Sequence, residues 1–188
     1  MKLRSGLIAL AVVVCGLVAG TGQAGAIGAA STTEPYCGIT WGSGTKSAGA
    51  LSTGNLLTTR TGQHDCYDRL VFEFNGVANG FVVSYGETYT QGEGVALSPY
   101  TAGGALLNVT LMAPAHNDDY TVTYPYRTGD HVVNVMRYRT LRDAVFGGSH
   151  EGYTTFAVGV RARLPFRVFV LSGPDTHSRI VLDVAHYW

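Results

Sequence analysis

The sequence predicts an all-β fold, a β-sandwich or partly closed barrel, on three observations. Short runs rich in β-branched and aromatic residues recur along the chain, several alternate apolar and polar side chains with period two, and turn-forming pairs separate them. The clearest case is the stretch 59–74, T-R-T-G-Q-H-D-C-Y-D-R-L-V-F-E-F. There a glycine and a charged cluster lead into Leu70, Phe72 and Phe74, which alternate with Val71 and Glu73. A cluster that feeds directly into a strand has its side chains aimed by that strand.

The chain begins with Lys2 and Arg4, an apolar run over 7–19 and then Ala24-Gly25-Ala26, the layout of a secretory signal peptide over residues 1–26. The competing reading, lipidation at Cys15, fits less well, because Val14 stands where a small residue is needed and the apolar run continues beyond the cysteine. The run is also shorter than the ~20 residues that cross a bilayer as a helix. Residues 27–53 are expected to form a leader and an N-terminal arm, anchored by Trp41, and residues 54–188 the β domain.

Candidate strands within that domain are 56–61, 69–74, 81–85, 94–97, 105–112, 121–124, 132–138, 153–160, 166–172 and 179–185. Asn75-Gly76, Asn79-Gly80, Gly103-Gly104, Gly147-Gly148 and Gly173-Pro174 mark turns between them. Phe166, Val168 and Val170 oppose Arg167, Phe169 and Leu171, a pattern expected of a strand buried on both sides. The one place for a helix, of a turn or two, is 141–146.

Beyond residue 26 two cysteines are left, Cys37 and Cys66, and an isolated pair in an exported chain reads as a disulfide. Closing that loop is worth roughly 3 to 4 kcal/mol in the chain-entropy model. The same part of the chain keeps 11 of the 13 basic residues and all 13 acidic ones, a formal net charge of −2. A general nucleic-acid binder is strongly basic, so no nucleic-acid partner is expected.

The histidines His64, His116, His131, His150, His177 and His186 show no metal-ligand spacing, so no metal and no cofactor is expected. His64, Asp65, Asp68 and Arg69 form the one tight polar cluster. Structurally, Asp68 would pair with Arg69 and tie down the arm, with His64 capping a turn. Functionally, His64 with an aspartate could serve an extracellular hydrolase as acid and base. Binding features are plainer. Tyr120, Tyr124 and Tyr126 fall at even spacing, which puts three tyrosines on one face of an extended segment, and the pairs Arg137 with Arg139 and Arg161 with Arg163 repeat that spacing. Tyrosine faces stack on sugar rings and guanidinium groups hold carboxylates. The alternative is an edge strand whose tyrosines cover the core and whose arginines keep it soluble.

C-G-I-T-W-G-S at 37–43, G-Q-H-D-C-Y-D-R-L-V at 62–71, G-F-V-V-S-Y at 80–85, F-R-V-F at 166–169 and the ending S-R-I-V-L-D-V-A-H-Y-W together resemble the AMIN-like domain proteins secreted by actinobacteria. The resemblance implies a β-sandwich without catalytic residues, related to modules that bring cell-wall enzymes to peptidoglycan. It also implies a location outside the cytoplasm, secreted or wall-associated. The expected function is a non-enzymatic cell-envelope binding module whose partner is a wall glycan or an envelope protein. An extracellular hydrolase and a protein-partner scaffold are the alternatives.

Overall fold

A computed structural model describes residues 34–188, so the expected signal peptide, Cys15 and nearly all of the leader lie outside the described residues. Nine strands form two antiparallel sheets that do not close into a barrel. One sheet has the order β2 (Asn55–Gln63), β3 (Tyr67–Asn75), β9 (Ser178–Ala185), β8 (Phe166–Ser172). The other has the order β1 (Lys46–Ala48), β4 (Phe81–Tyr85), β5 (Ala105–Leu111), β7 (Tyr153–Val160), β6 (Leu141–His150). The predicted all-β sandwich is therefore what the chain forms.

Strand β3 shows why. Asp68, Leu70, Phe72 and Phe74 are buried while Tyr67, Arg69, Val71 and Glu73 are half-exposed, the period-two division its sequence prescribes. Phe72 meets Phe156 of the opposite sheet with ring centroids 4.9 Å apart, and Phe146 lies 5.3 Å from the same ring. Each such fully buried aromatic contributes roughly 1.5–3 kcal/mol.

β2 and β6 are edge strands of different sheets, and the segment 112–140 runs between them as a strap. On the β2 side Leu56 N–H donates to Pro114 O, Thr123 Oγ1 donates to Leu56 O, and Gln63 Nε2 donates to Arg137 O. On the β6 side Val132 N–H donates to Ala144 O and Phe146 N–H to Asp130 O. Tyr124, Val132 and Val135 drop from the strap into the core. The open side of the sandwich is thereby sealed and its edges are occupied, as unpaired strand edges require.

The strap overturns several expected elements. Segments 121–124 and 132–138 are not strands: the first contributes one isolated bridge, Val122 with His116, and the bridge of His131 with Val145 falls just before the second. Segment 94–97 likewise makes one bridge, between Tyr89 and Ala96. The expected helix at 141–146 is the first part of strand β6. A register shift between Leu141 and Asp143 places the core residues Leu141 and Ala144 three positions apart, a spacing that mimics a helix. β8 is an edge strand rather than one buried on both sides: Phe166 is buried, but Arg167 to Val170 are half-exposed and Leu171 is exposed. Trp41 is half-buried, its indole N–H donating to Tyr36 O at 2.8 Å.

Cys37 and Cys66 form the expected disulfide, with Cα atoms 6.4 Å apart. It fastens the arm to the turn that connects β2 to β3.

Candidate functional site

The strap builds a cleft of about 370 Å³ at the β6 edge. Its floor is Tyr124, which is fully buried, accepts or donates a 2.9 Å hydroxyl bond with Thr59, and packs edge-on against Phe146 at 5.1 Å. Burial pushes the Tyr124 hydroxyl well above the usual tyrosine range. Tyr126 is half-buried, its ring 4.9 Å from that of Tyr124. Tyr120 stands at the mouth with 81% of its surface exposed. The three tyrosines do not share one face of an extended strand, as their spacing predicts; one forms the floor and two form walls of the same cleft.

A local turn sets Tyr120. The residue adopts φ 60°, its N–H donates to Asn117 O, and Asn117 Oδ1 accepts the N–H groups of Asp119 and Thr121. His116 Nδ1 donates to Asn117 O at 2.8 Å, and its ring stacks on Tyr120 with centroids 5.1 Å apart. The other ring nitrogen is then an acceptor when the imidazole is neutral. Arg127 lines the cleft, and its guanidinium makes no hydrogen bond or ion pair among the described residues. At Gly148, φ is 100° and a Cβ would approach Thr128 Oγ1 to 2.9 Å, so glycine keeps this wall open.

The arginine pairs go to three different places. Arg137 and Arg139 line a polar pocket of about 240 Å³ together with Gln63, His64, Asp65, Asp68 and His186. Arg161 donates to His186 O at 2.7 Å. Arg163 lies 4.8 Å above the ring of Tyr85, beside Glu87. Tyr85 donates to Leu164 O at 2.7 Å, and burial raises its hydroxyl to about 12.

The polar cluster in β3 separates by strand parity. Asp68 points inward, accepting Leu141 N–H at 3.0 Å, Thr140 N–H and His186 Nε2 at 3.1 Å. Arg69 points outward to Asp183, at 2.6 and 2.9 Å, so the expected Asp68–Arg69 pair does not form. Hydrogen bonding to that carboxylate holds the Arg69 guanidinium still more firmly protonated. Arg167 reaches the same buried Asp183 at 2.8 Å. His64 does not cap its turn through its ring, which stacks on Tyr67 at 4.5 Å.

His186 and Asp183 were not singled out from the sequence. The signal lies in S-R-I-V-L-D-V-A-H, where one carboxylate interrupts an apolar strand and so needs a buried partner. As an acid–base group His186 is poorly placed. Both ring nitrogens of His186 are occupied, Nε2 by Asp68 and Nδ1 by Asp65 O at 3.1 Å, leaving neither to move a substrate proton. Among the described residues no group of three metal-ligating side chains comes together.

Fold and cleft define a class: a disulfide-stapled β-sandwich with an aromatic cleft and a recess lined by arginines among its concave features. The chain belongs to the AMIN-like domain family, whose match covers residues 54–186. Domains of this family are generally non-catalytic binding modules associated with the cell wall or peptidoglycan, which suggests an extracytoplasmic protein. No curated protein and no solved structure matches the chain. No helix among the described residues is long and apolar enough to cross a membrane.

Proposed function

We propose that this protein is an exported, non-catalytic module that holds cell-envelope glycan in the tyrosine cleft. The observation that carries the reading is Tyr120, a large ring 81% exposed yet fixed by the Asn117 turn and by stacking on His116. A rigid aromatic wall gives a sugar ring an apolar C–H surface to lie on at small entropic cost. Tyr126 adds a second partly exposed ring to the cleft, while Arg127 and the free nitrogen of His116 offer a donor and an acceptor to the ring substituents. Export rests on the charged, apolar and small-residue order over residues 1–26.

The direct test is an NMR titration of the full chain with a tetramer of N-acetylglucosamine. Saturable shifts at the amides of Tyr120, Val122 and Tyr126, lost in Tyr120→Ala, are expected. Absence of saturable shifts there at millimolar sugar would defeat the cleft assignment.

A further inference from the structure

The pocket beside the disulfide has no part in the glycan reading, and it is built differently. It lies four residues further along β2 than Thr59, the partner of Tyr124, which is about 13 Å at the rise of a strand. Its walls carry opposite charges that do not meet. Arg137 and Arg139 from the strap and Asp65 from the β2–β3 turn are each exposed, and none of their charged groups makes a hydrogen bond or ion pair among the described residues.

The backbone beneath each charge is held in place. His186 Nδ1 lies 3.1 Å from the carbonyl oxygen of Asp65, and the next residue, Cys66, is disulfide-bonded. The carbonyl of Arg137 accepts from Gln63 Nε2 at 2.6 Å, and that of Arg139 accepts from Arg142 Nη2 at 3.2 Å. Asp68 fixes the following residues, Thr140 and Leu141, by their N–H groups. Asp68 itself is fully buried and spends its oxygens on these donors and on His186, so it does not neutralise the arginines. Opposite charges held apart on fixed supports across a recess of about 240 Å³ suit a small ligand that is itself dipolar.

We infer that this pocket binds a zwitterionic amino-acid head, with its carboxylate on Arg137 and Arg139 and its ammonium on Asp65. Paired guanidinium forks match a planar carboxylate, and a lone carboxylate matches the three donors of an ammonium. The head could belong to a free amino acid or stand at the end of a longer side chain; the recognised chemistry is the same. Binding here is separable from the tyrosine cleft, because no residue lines both recesses.

The test is NMR titration of the full chain with four probes: alanine, N-acetylalanine, alaninamide and Nδ-acetylornithine. Alanine is expected to shift the amides of Asp65, Cys66, Arg139 and His186 saturably. The two single-charge analogues should bind more weakly, by up to about fivefold, since each loses one exposed ion pair. Asp65→Asn should reduce alanine to the level of N-acetylalanine, and the double substitution Arg137→Ala with Arg139→Ala should reduce it to the level of alaninamide. All three positions are exposed, and unchanged spectra away from the pocket would show that the variants fold. Nδ-acetylornithine binding as well as alanine places the head on a longer chain, whereas alanine binding alone makes the ligand a free amino acid. The inference is overturned if alanine gives no saturable shift there up to about 0.1 M, far above a millimolar dissociation constant. It is equally overturned if alanine binds no tighter than the single-charge analogues.

Discussion

Asp68 and Asp183 are both fully buried in β3 and β9, yet they serve opposite sides of one sheet. Asp68 terminates the strap by gathering two backbone N–H groups and a histidine. Asp183 fastens Arg69 and Arg167 flat on the outer face, where Arg167 also lies 5.5 Å from the Trp41 ring and 5.0 Å from that of Phe169. Asp68→Ala leaves three buried donors without an acceptor and should cost about 3 kcal/mol or more in urea unfolding. Tyr120→Ala, on an exposed ring, should change stability by no more than about 0.5 kcal/mol. Tyr85 supplies a pH test. Its folded hydroxyl is raised to about 12 against an ordinary value near 10. The folded state therefore keeps a proton the unfolded chain loses, so stability is intact below about pH 10 and falls as pH rises towards 12. Thermal melts across that range should decline less steeply in Tyr85→Phe. At this scale the sequence is only partly legible. Parity in β3 separates Asp68 from Arg69, but nothing local shows that their partners are His186 and Asp183, more than a hundred residues away.

Elements with a continuous ladder are the ones their own residues announce. β3, β4, β7 and β9 lie close to their expected bounds because each keeps an unbroken register with at least one neighbour. The strap defeats the same reasoning: residues 121–124 and 132–138 alternate like strands, but Thr123 N–H bonds within the strap to Ala115 O and Val132 N–H bonds Ala144 O of β6, so neither segment builds a ladder. β6 defeats it through a bulge that changes parity. Close backbone approach is equally hidden. At Gly159 in β7 a Cβ would lie 1.8 Å from Ala102 O, so Gly159→Ala should destabilise by about 1–3 kcal/mol as the 101–104 loop is pushed off the sheet. The disulfide is an element-scale restraint as well. Replacing Cys37 and Cys66 together by serine should lower stability by roughly 3 kcal/mol in the chain-entropy account, measured by denaturant unfolding.

For the molecule as a whole, two sheets supply the frame and the strap between their edges lines both candidate sites. The cleft and the charged pocket both use strap residues, Tyr120 to Thr128 for one and Arg137 with Arg139 for the other. This division explains why the fold was readable and the site only in outline: the frame follows from period-two burial, whereas the cleft depends on a left-handed turn at Tyr120 and on a buried Tyr124. The three tyrosines do line one cleft, but not in the arrangement their spacing predicts. A module of this design should hold its polymer by shape and stacking rather than by net charge, so its retention should persist at moderate salt. Co-sedimentation of the full chain with purified cell-wall sacculi at ~0.15 M salt, near the ionic strength where exposed charges are screened beyond ~8 Å, tests this most directly. The account predicts retention well above a denatured control and its loss in the stably folded Tyr120→Ala variant. Sedimentation no greater than that of the control, or equal for wild type and variant, would contradict it.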